Sequence, residues 1–132
     1  MEITYRTNIT PATEAIIAVY DSSGIKRPTN DPERIAKMYE NSNLVVTAWY
    51  GDVLIGIARS LTDFCYCCYL ADLAISMEYQ KGGIGRQLVK LTKETLGKQC
   101  MLLLLAAPTA QEYYPKLGMD TVHNGFIINR EQ

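Results

Sequence analysis

The chain has 132 residues, a formal net charge of −1, 48% hydrophobic residues and 20% charged residues. This length suits one compact domain, so we expect residues 1–132 to form a single core. A near-neutral chain lacks the basic surface that is typical of nucleic-acid-binding proteins. The N-terminus shows no basic start followed by an apolar run, and no apolar stretch is long enough to span a bilayer. We therefore expect a cytoplasmic protein that binds neither nucleic acid nor membrane.

The cysteine pattern does not indicate a metal site. Three of the four cysteines form a C-x-C-C cluster, which lacks the C-x₂-C spacing of zinc sites, and His123 is the only histidine. Nothing in the sequence points to secretion, so we do not expect disulfides. The expectation is that the cysteines are mostly buried apolar residues, with a redox-sensing thiol as the minority alternative. The cysteines are Cys65, Cys67, Cys68 and Cys100.

The first third of the chain predicts a strand followed by two helices. Residues Glu2–Arg6 read as a short strand. Thr10-Pro11 looks like an N-cap with proline at the first helical position, and the helix that follows is ended by Gly24. Asp31-Pro32 repeats this start signal before a second helix with apolar residues at helical spacing.

The middle of the chain predicts three strands. Leu44–Tyr50 and Val53–Arg59 are rich in β-branched and aromatic residues, and the Gly51-Asp52 turn between them indicates a hairpin. Cys65–Ile75 is a longer and more apolar strand candidate.

The last third predicts two further helices and two strands. Ile84–Leu96 has a clear amphipathic period, and Met101–Ala107 is a continuous apolar run of the kind found in strands buried on both faces. Ala110–Leu117 reads as a short helix and Phe126–Asn129 as a final strand. The predicted order is β-α-α-β-β-β-α-β-α-β, which favours a mixed sheet with helices on its faces.

A glycine-rich turn, Gln80-Lys81-Gly82-Gly83-Ile84-Gly85-Arg86, joins a predicted strand to a predicted helix. Glycines let the backbone approach a ligand closely, and a helix N-terminus offers free N–H groups and the positive end of the helix dipole. Together they make an anion site. The turn matches neither the nucleotide-triphosphate loop nor the dinucleotide fingerprint. A pyrophosphate of another cofactor fits better, although the turn alone also permits a plain structural loop.

Three segments resemble one family. The pattern Gln80-x-x-Gly83-x-Gly85 is similar to the acetyl-CoA signature of the GNAT superfamily of N-acetyltransferases. Upstream, Leu70–Tyr79 resembles the family's fourth strand and the turn after it, and downstream, Ala110–Met119 resembles its A-x-x-F-Y-x-x-L-G-F helix. The segments occur in the family's order and spacing, and the resemblance covers essentially the whole chain.

The resemblance implies an α/β fold with a mixed, mostly antiparallel sheet, helices on both faces, and a splay after the fourth strand. It implies acetyl-CoA as co-substrate and no metal. Backbone groups in the fourth strand would pair with the pantetheine arm, and amides of the glycine turn would hold the pyrophosphate. One departure is Ala107, where the family often has an asparagine that contacts the cofactor. The implied cofactor-binding residues are Leu73, Ala74, Ile75, Gln80, Lys81, Gly82, Gly83, Ile84, Gly85 and Arg86.

Two residues are candidates for the chemistry. The resemblance aligns Tyr114 with the tyrosine that faces the coenzyme A sulfur. Acetyl transfer also needs a neutral amine, and an alkylammonium of pKa about 10 is almost fully protonated at pH 7. Asp72, an acid inside an otherwise apolar strand, is the candidate base. The equal alternative is an aspartate that is paired with a buried partner or faces solvent.

These observations favour direct transfer of an acetyl group to a primary amine of unknown identity in a ternary complex. One rival is a non-catalytic acyl-CoA-binding or regulatory module on the same fold, and another is an interaction module without a cofactor. The partner would be a small-molecule or peptide amine. The resemblance alone suggests a homodimer.

Overall fold

The structure, a computed structural model, describes residues 2–132, so residue 1 of the expected domain lies outside the described part. This part of the chain contains five strands and three helices, with 3₁₀ turns after β4 and β5. The strands are β1 (Ile3–Thr7), β2 (Leu44–Tyr50), β3 (Val53–Thr62), β4 (Cys67–Ile75) and β5 (Met101–Leu103). The helices are α1 (Thr13–Ser23), α2 (Pro32–Glu40) and α3 (Ile84–Leu96). The 3₁₀ turns are Met77–Tyr79, Pro108–Ala110 and Tyr114–Leu117.

The sheet has the order β1-β2-β3-β4-β5 and is antiparallel except between β4 and β5, which run parallel. The parallel ladder is short, because only Cys67–Tyr69 pairs with Met101–Leu103. Beyond Tyr69, β4 continues for six residues to Ile75 without a partner strand on this side among residues 2–132. The predicted fold, a mostly antiparallel sheet that splays after its fourth strand, is confirmed.

Helices cover both faces of the sheet, as predicted. α1 and α2 pack on one face through a core that includes Ile16, Tyr20 and Ile35, and α3 packs on the other through Ile84 and Leu88. At Gly56 in β3, a Cβ atom would lie 3.3 Å from Leu88 and 3.4 Å from Ile84. The missing side chain therefore lets the first half of α3 approach the sheet closely.

The start signals of the two early helices had different outcomes. Asp31 caps α2 as predicted, since its side chain accepts the N–H of Arg34 at 3.1 Å and Pro32 opens the helix. The start predicted at Thr10-Pro11 is wrong by two residues. α1 has Ala12 as its N-cap residue, and no side chain of the described residues caps it.

A β-bulge in β4 determines which residues face which helix. Arg59 pairs with Asp72 while Ser60 pairs with Leu70, so Ala71 is an extra residue on β4. Before the bulge, Leu70 belongs to the core on the α3 side. After it, Ala74 packs on the α1 side and Asp72 meets side chains of that same side. The extra residue therefore turns the even-numbered side chains from one face of the sheet to the other.

The C-terminal third differs from prediction in three ways. The run Met101–Ala107 forms only the three-residue β5, and the expectation of burial on both faces is wrong because Leu105 is 61% exposed. The predicted helix Ala110–Leu117 is replaced by separate 3₁₀ turns, since Pro115 lacks an N–H donor in that stretch. The predicted strand Phe126–Asn129 does not form, because this segment pairs with no strand of the described residues and exposes its apolar side chains.

Candidate functional site

A cleft of about 750 Å³ opens where β4 and β5 separate. Its walls are the unpaired end of β4, the segment that follows β5, and the loop that follows α1. Several predicted site residues line it: Leu73, Ala74, Ile75, Gln80, Gly85 and Tyr114. A second groove of about 840 Å³ lies on the outer side of α3, but among those residues it includes only Arg86. Half of the predicted site residues thus line the cleft between the strands, whereas Asp72, Lys81, Gly82, Gly83, Ile84 and Arg86 do not.

The glycine turn leaves a row of backbone N–H groups free at the start of α3. Gly83 is the N-cap residue with φ +79°, a left-handed conformation that favours glycine. The first N–H that bonds into the helix is that of Gln87, which donates to the Gly83 carbonyl at 3.1 Å. The amides from Gly83 to Arg86 therefore have no partner within α3. The Gly82 amide differs from the prediction, since it donates to the Tyr79 carbonyl at 3.4 Å.

The long side chains of the turn tie it to neighbouring segments. Gln80 donates from Nε2 to the carbonyl oxygens of Ser23 at 3.2 Å and Ile75 at 3.0 Å, so it joins the end of α1 to the end of β4. Arg86 donates to the Lys116 carbonyl at 3.1 Å and connects α3 to the last 3₁₀ turn. Lys81 is exposed. Gln80 and Arg86 therefore also hold the walls of the cleft in place.

The free edge of β4 offers backbone groups to the cleft at alternate residues. The Ser76 N–H donates to the Ile55 carbonyl of β3 at 2.8 Å. Because backbone groups alternate in direction along a strand, those of Ala74, two residues earlier, also point toward β3. Leu73 and Ile75 point the other way, into the cleft. Since the Ile75 carbonyl accepts the Gln80 side chain, the groups left for a ligand are the Leu73 N–H and C=O and the Ile75 N–H. The backbone of Ala74, predicted to pair with a ligand, faces the sheet instead.

Two neighbouring tyrosines close the cleft opposite β4. The rings of Tyr113 and Tyr114 meet edge to face with centroids 5.1 Å apart. The Tyr113 hydroxyl lies over Gly85, where a Cβ atom would come within 2.5 Å of it. No group in residues 2–132 hydrogen-bonds the Tyr114 hydroxyl. Burial raises the pKa of Tyr114 above its ordinary value, so this hydroxyl stays protonated and able to donate at neutral pH.

The carboxylate of Asp72 is at the centre of a buried polar network. Asp72 is 1% exposed and accepts hydrogen bonds from Arg27 Nε at 2.5 Å, Arg59 Nε at 2.6 Å and the Tyr20 hydroxyl at 2.7 Å. The Tyr20 hydroxyl also bonds that of Tyr39. The network therefore joins α1, α2, β3, β4 and the loop that follows α1.

These contacts argue against Asp72 as the base. Burial alone would raise the pKa of Asp72, but the hydrogen bond from Arg59 and the charges of Arg59 and Arg27 outweigh it and lower the pKa below its ordinary value. A carboxylate with a lowered pKa is a weaker base, and its oxygens already accept three bonds. The geometry favours the alternative that Asp72 is paired with buried partners.

Sequence reasoning missed the residues that surround this carboxylate. Arg27 lies in a loop without a motif, yet it also donates from Nη2 to the Ala71 carbonyl at 2.9 Å and lines the cleft. Lys26, beside it, lines the cleft as well. Their partners lie far away in the sequence, so no local pattern could reveal them. An acid in an apolar strand was the one available signal that cations lie nearby.

A divided sheet with a glycine turn at a helix start defines the class: an α/β domain suited to an extended ligand with an anionic end. Residues 16–129 match the family described as "Acetyltransferase (GNAT) domain". The chain therefore belongs to the GNAT family of acetyltransferases, and the resemblance seen in the sequence is confirmed.

Solved structures share the fold. A probable acetyltransferase from meticillin-resistant Staphylococcus aureus has a TM-score of 0.82 at 22% identity and covers 98% of this chain and 100% of its own. A GNAT family acetyltransferase from Streptococcus pneumoniae TIGR4 has a TM-score of 0.75 at 22% identity, with 98% and 100% coverage. An aminoglycoside N-acetyltransferase in complex with CoA has a TM-score of 0.73 at 12% identity, with 99% and 96% coverage. A comparison with curated proteins gave no significant match.

Over residues 2–132, none of the helices combines the length and the apolar character that a membrane span requires.

Proposed function

We propose that this chain transfers the acetyl group of acetyl-CoA to a primary amine by direct transfer in a ternary complex. The observation that carries the proposal is a cleft with a free edge on β4 and a Tyr114 hydroxyl that has no partner in residues 2–132, with the N-terminus of α3 reaching this cleft at Gly85. The family supports acetyl transfer as the general activity. The acceptor amine is a proposal, which the likeness to an aminoglycoside N-acetyltransferase supports.

The amides of Gly83, Ile84, Gly85 and Arg86 are proposed to bind the pyrophosphate of coenzyme A. They lie at the positive end of the α3 dipole, and the left-handed Gly83 turns the chain so that these groups point outward. Lys81 and Arg86 add positive charge at the same end. The Gly82 amide is excluded from this set because Tyr79 occupies it.

The free groups of Leu73 and Ile75 are proposed to pair with the amides of the pantetheine arm, much as an added strand would. They face the same cleft as the turn, and Gly85 lies beside Ile75, since a Cβ atom there would be 3.3 Å from the Ile75 Cδ1 atom. The arm would therefore run from the turn along β4 toward Ala71. The acyl end would arrive near the bulge.

Tyr114 is proposed to donate a hydrogen bond to the leaving sulfur. In the transfer, the amine nitrogen forms a bond to the thioester carbonyl carbon, the C–S bond breaks, and the sulfur leaves with the electron pair. Negative charge on sulfur in a partly buried cleft is costly without a donor. A tyrosine donor stabilises that charge, and the proton that the amine loses completes the thiol.

The geometry assigns Asp72 a positioning role in this proposal. Its carboxylate holds Arg27, and Arg27 in turn bonds the carbonyl of Ala71 at the edge of the cleft. The pairing fixes the loop after α1 against β4, so the far wall of the cleft depends on it.

The test is thiol release from acetyl-CoA across a broad panel of amines, together with calorimetry of coenzyme A binding. Turnover on at least one amine supports the proposal. Binding without turnover on any amine would favour the non-catalytic module, and the absence of binding would favour an interaction domain without a cofactor.

The variant Gly83→Asp tests whether coenzyme A binds at the glycine turn. The change places a carboxylate where the pyrophosphate is proposed to bind, so coenzyme A binding should be lost. Gly83→Asn is the matched control, because it has nearly the same shape and the same left-handed backbone without the charge. It should bind more tightly than Gly83→Asp. Unchanged affinity in the aspartate variant would contradict the site.

A further inference from the structure

The cleft has two ends, which lie at opposite ends of the free β4 edge. Gly85 lies beside Ile75 at one end, while Arg27 bonds the carbonyl of Ala71 at the other. The two β4 residues are about 13 Å apart at a strand rise of about 3.3 Å per residue. The loop after α1 runs along the same stretch of β4, because the Ser23 carbonyl accepts from Gln80 near Ile75 and Arg27 donates to the Ala71 carbonyl. The Arg27 end is therefore where an acceptor would meet the acyl group.

The charges around the cleft are of one sign. Its lining includes Lys26 and Arg27, and no Asp or Glu side chain among residues 2–132 lines it. Asp72, the nearest buried acid, is shared between Arg27 and Arg59, so one guanidinium charge is uncompensated. Much of the remaining lining is apolar and includes Leu70, Leu73, Leu104 and Leu105. Charges act more strongly beside such surfaces than in open water.

We propose that the acceptor amine of this site carries an anionic group, with a carboxylate as the first choice, and that Lys26 binds that group. This inference rests on the proposed acetyl transfer. Arg27 has its Nε, Nη1 and Nη2 groups bonded to Asp72, Lys26 and Ala71, whereas Lys26 is exposed and its ammonium has no partner among the described residues. Lys26 is thus the cation left to bind an acceptor.

The positive charges around the cleft also favour deprotonation of the amine. A positive environment disfavours the ammonium form and so lowers the pKa of an amine bound there. The acceptor could then lose its proton without a carboxylate base, which agrees with the occupied state of Asp72. A polycation would instead bring several charges to a cleft that has no carboxylate side chain in the described part of its lining.

The experiment measures kcat/KM by thiol release for matched amines. Each amino acid is paired with its carboxamide, aminoalkyl phosphonates distinguish a phosphate-like group from a carboxylate, and diamines and aminoglycosides represent polycations. Lys26→Met removes the proposed partner. Lys37→Met is the control, because it makes the same exchange at an exposed position of α2 outside the cleft.

We expect the carboxylate to be preferred over the carboxamide by about two- to fivefold, the usual scale of an ion pair made by an exposed lysine. Lys26→Met should abolish that preference, while Lys37→Met should keep it. Coenzyme A affinity should stay unchanged in Lys26→Met. If that affinity falls while the preference persists, Lys26 serves the cofactor's phosphates and the inference is wrong.

Preference for carboxamides or polycations in the parent would overturn this inference and leave acetyl transfer intact. A preference for phosphonates over carboxylates would keep the anionic class and overturn the choice of carboxylate. No turnover on any amine, with normal coenzyme A binding, would contradict the proposed function and this inference with it.

Discussion

Replacing Asp72 by asparagine separates a positioning role from a base role. The amide keeps the shape of the carboxylate, but its NH₂ group cannot accept the N–H and O–H donors that now meet the two oxygens. Two guanidiniums then lose their shared counterion. Removing one partner of a buried ion pair costs about 3–5 kcal/mol. The Arg27 side chain is 26% exposed and can recover some hydration, so we expect the lower end of that range.

This loss is measurable as a shift of the melting temperature. Unfolding entropy is about 2.1 cal/mol/K per residue, so about 3 kcal/mol in a 132-residue chain lowers Tm by about 10 °C. Calorimetry or thermal circular dichroism measures the shift. Asp120→Asn is the control, because Asp120 is exposed and has no side-chain hydrogen bond among the described residues, so its Tm should barely change.

The pH dependence gives an independent test with a definite sign. The folded pKa of Asp72 is lowered, so its contribution to stability is complete above the unfolded value of about 3.9 and is lost as pH falls through the folded pKa. The stability difference between the parent and Asp72→Asn should therefore be full at pH 7 and narrow only in strong acid. Activity, measured well below the variant's Tm, should fall without a change in the shape of the pH–rate profile. An unchanged Tm together with an altered profile would refute the positioning role.

Two further changes test the opposite wall of the cleft. Tyr114→Phe should lower kcat about 10²-fold, the low end for a general acid, with KM for acetyl-CoA and Tm near normal, because the hydroxyl bonds no group in residues 2–132. Full turnover on the true acceptor would remove Tyr114 from the mechanism and make Tyr113 the next candidate. Gly85→Ala should raise the KM for acetyl-CoA with little change in Tm, because the new methyl group displaces the Tyr113 hydroxyl into the cleft while the helix tolerates alanine. Steady-state kinetics and a melting curve check this change, and an unaltered KM would place the cofactor elsewhere.

Local signals predicted the parts of the fold that local chemistry determines. Asp31 caps α2 because a short side-chain acceptor reaches the N–H three residues on. The hairpin of β2 and β3 and the amphipathic α3 follow from periodicity and turn residues. The glycine turn was recognisable because left-handed backbone at Gly83 requires a particular residue type. These elements carry most of the proposed cofactor site.

Pairing between distant residues set the features that sequence could not predict. The two arginines that hold Asp72 lie 45 and 13 residues away, and Tyr20 lies 52 away, so no spacing rule connects them. The predicted strand Phe126–Asn129 had suitable residues, but a strand forms only where a partner edge is present. Likewise, the strand formed by the Met101–Ala107 run ends where β4 and β5 separate, and the apolar character of the run does not determine that point.

The bulge at Ala71 connects stability to the proposed chemistry. In a regular strand Leu70 and Asp72 would lie on the same face, whereas the bulge lets Asp72 pair with Arg59 and lie on the α1 side. With it, Asp72 faces Tyr20 and Arg27, while the Ala71 carbonyl is left for Arg27 to bind. The bulge therefore leaves the Ala71 carbonyl to Arg27, which is already held by Asp72, and so fixes the loop at the proposed acceptor end. Substitutions in this ion network should weaken acceptor binding more than cofactor binding, because the turn at Gly83 belongs to α3 on the other face of the sheet.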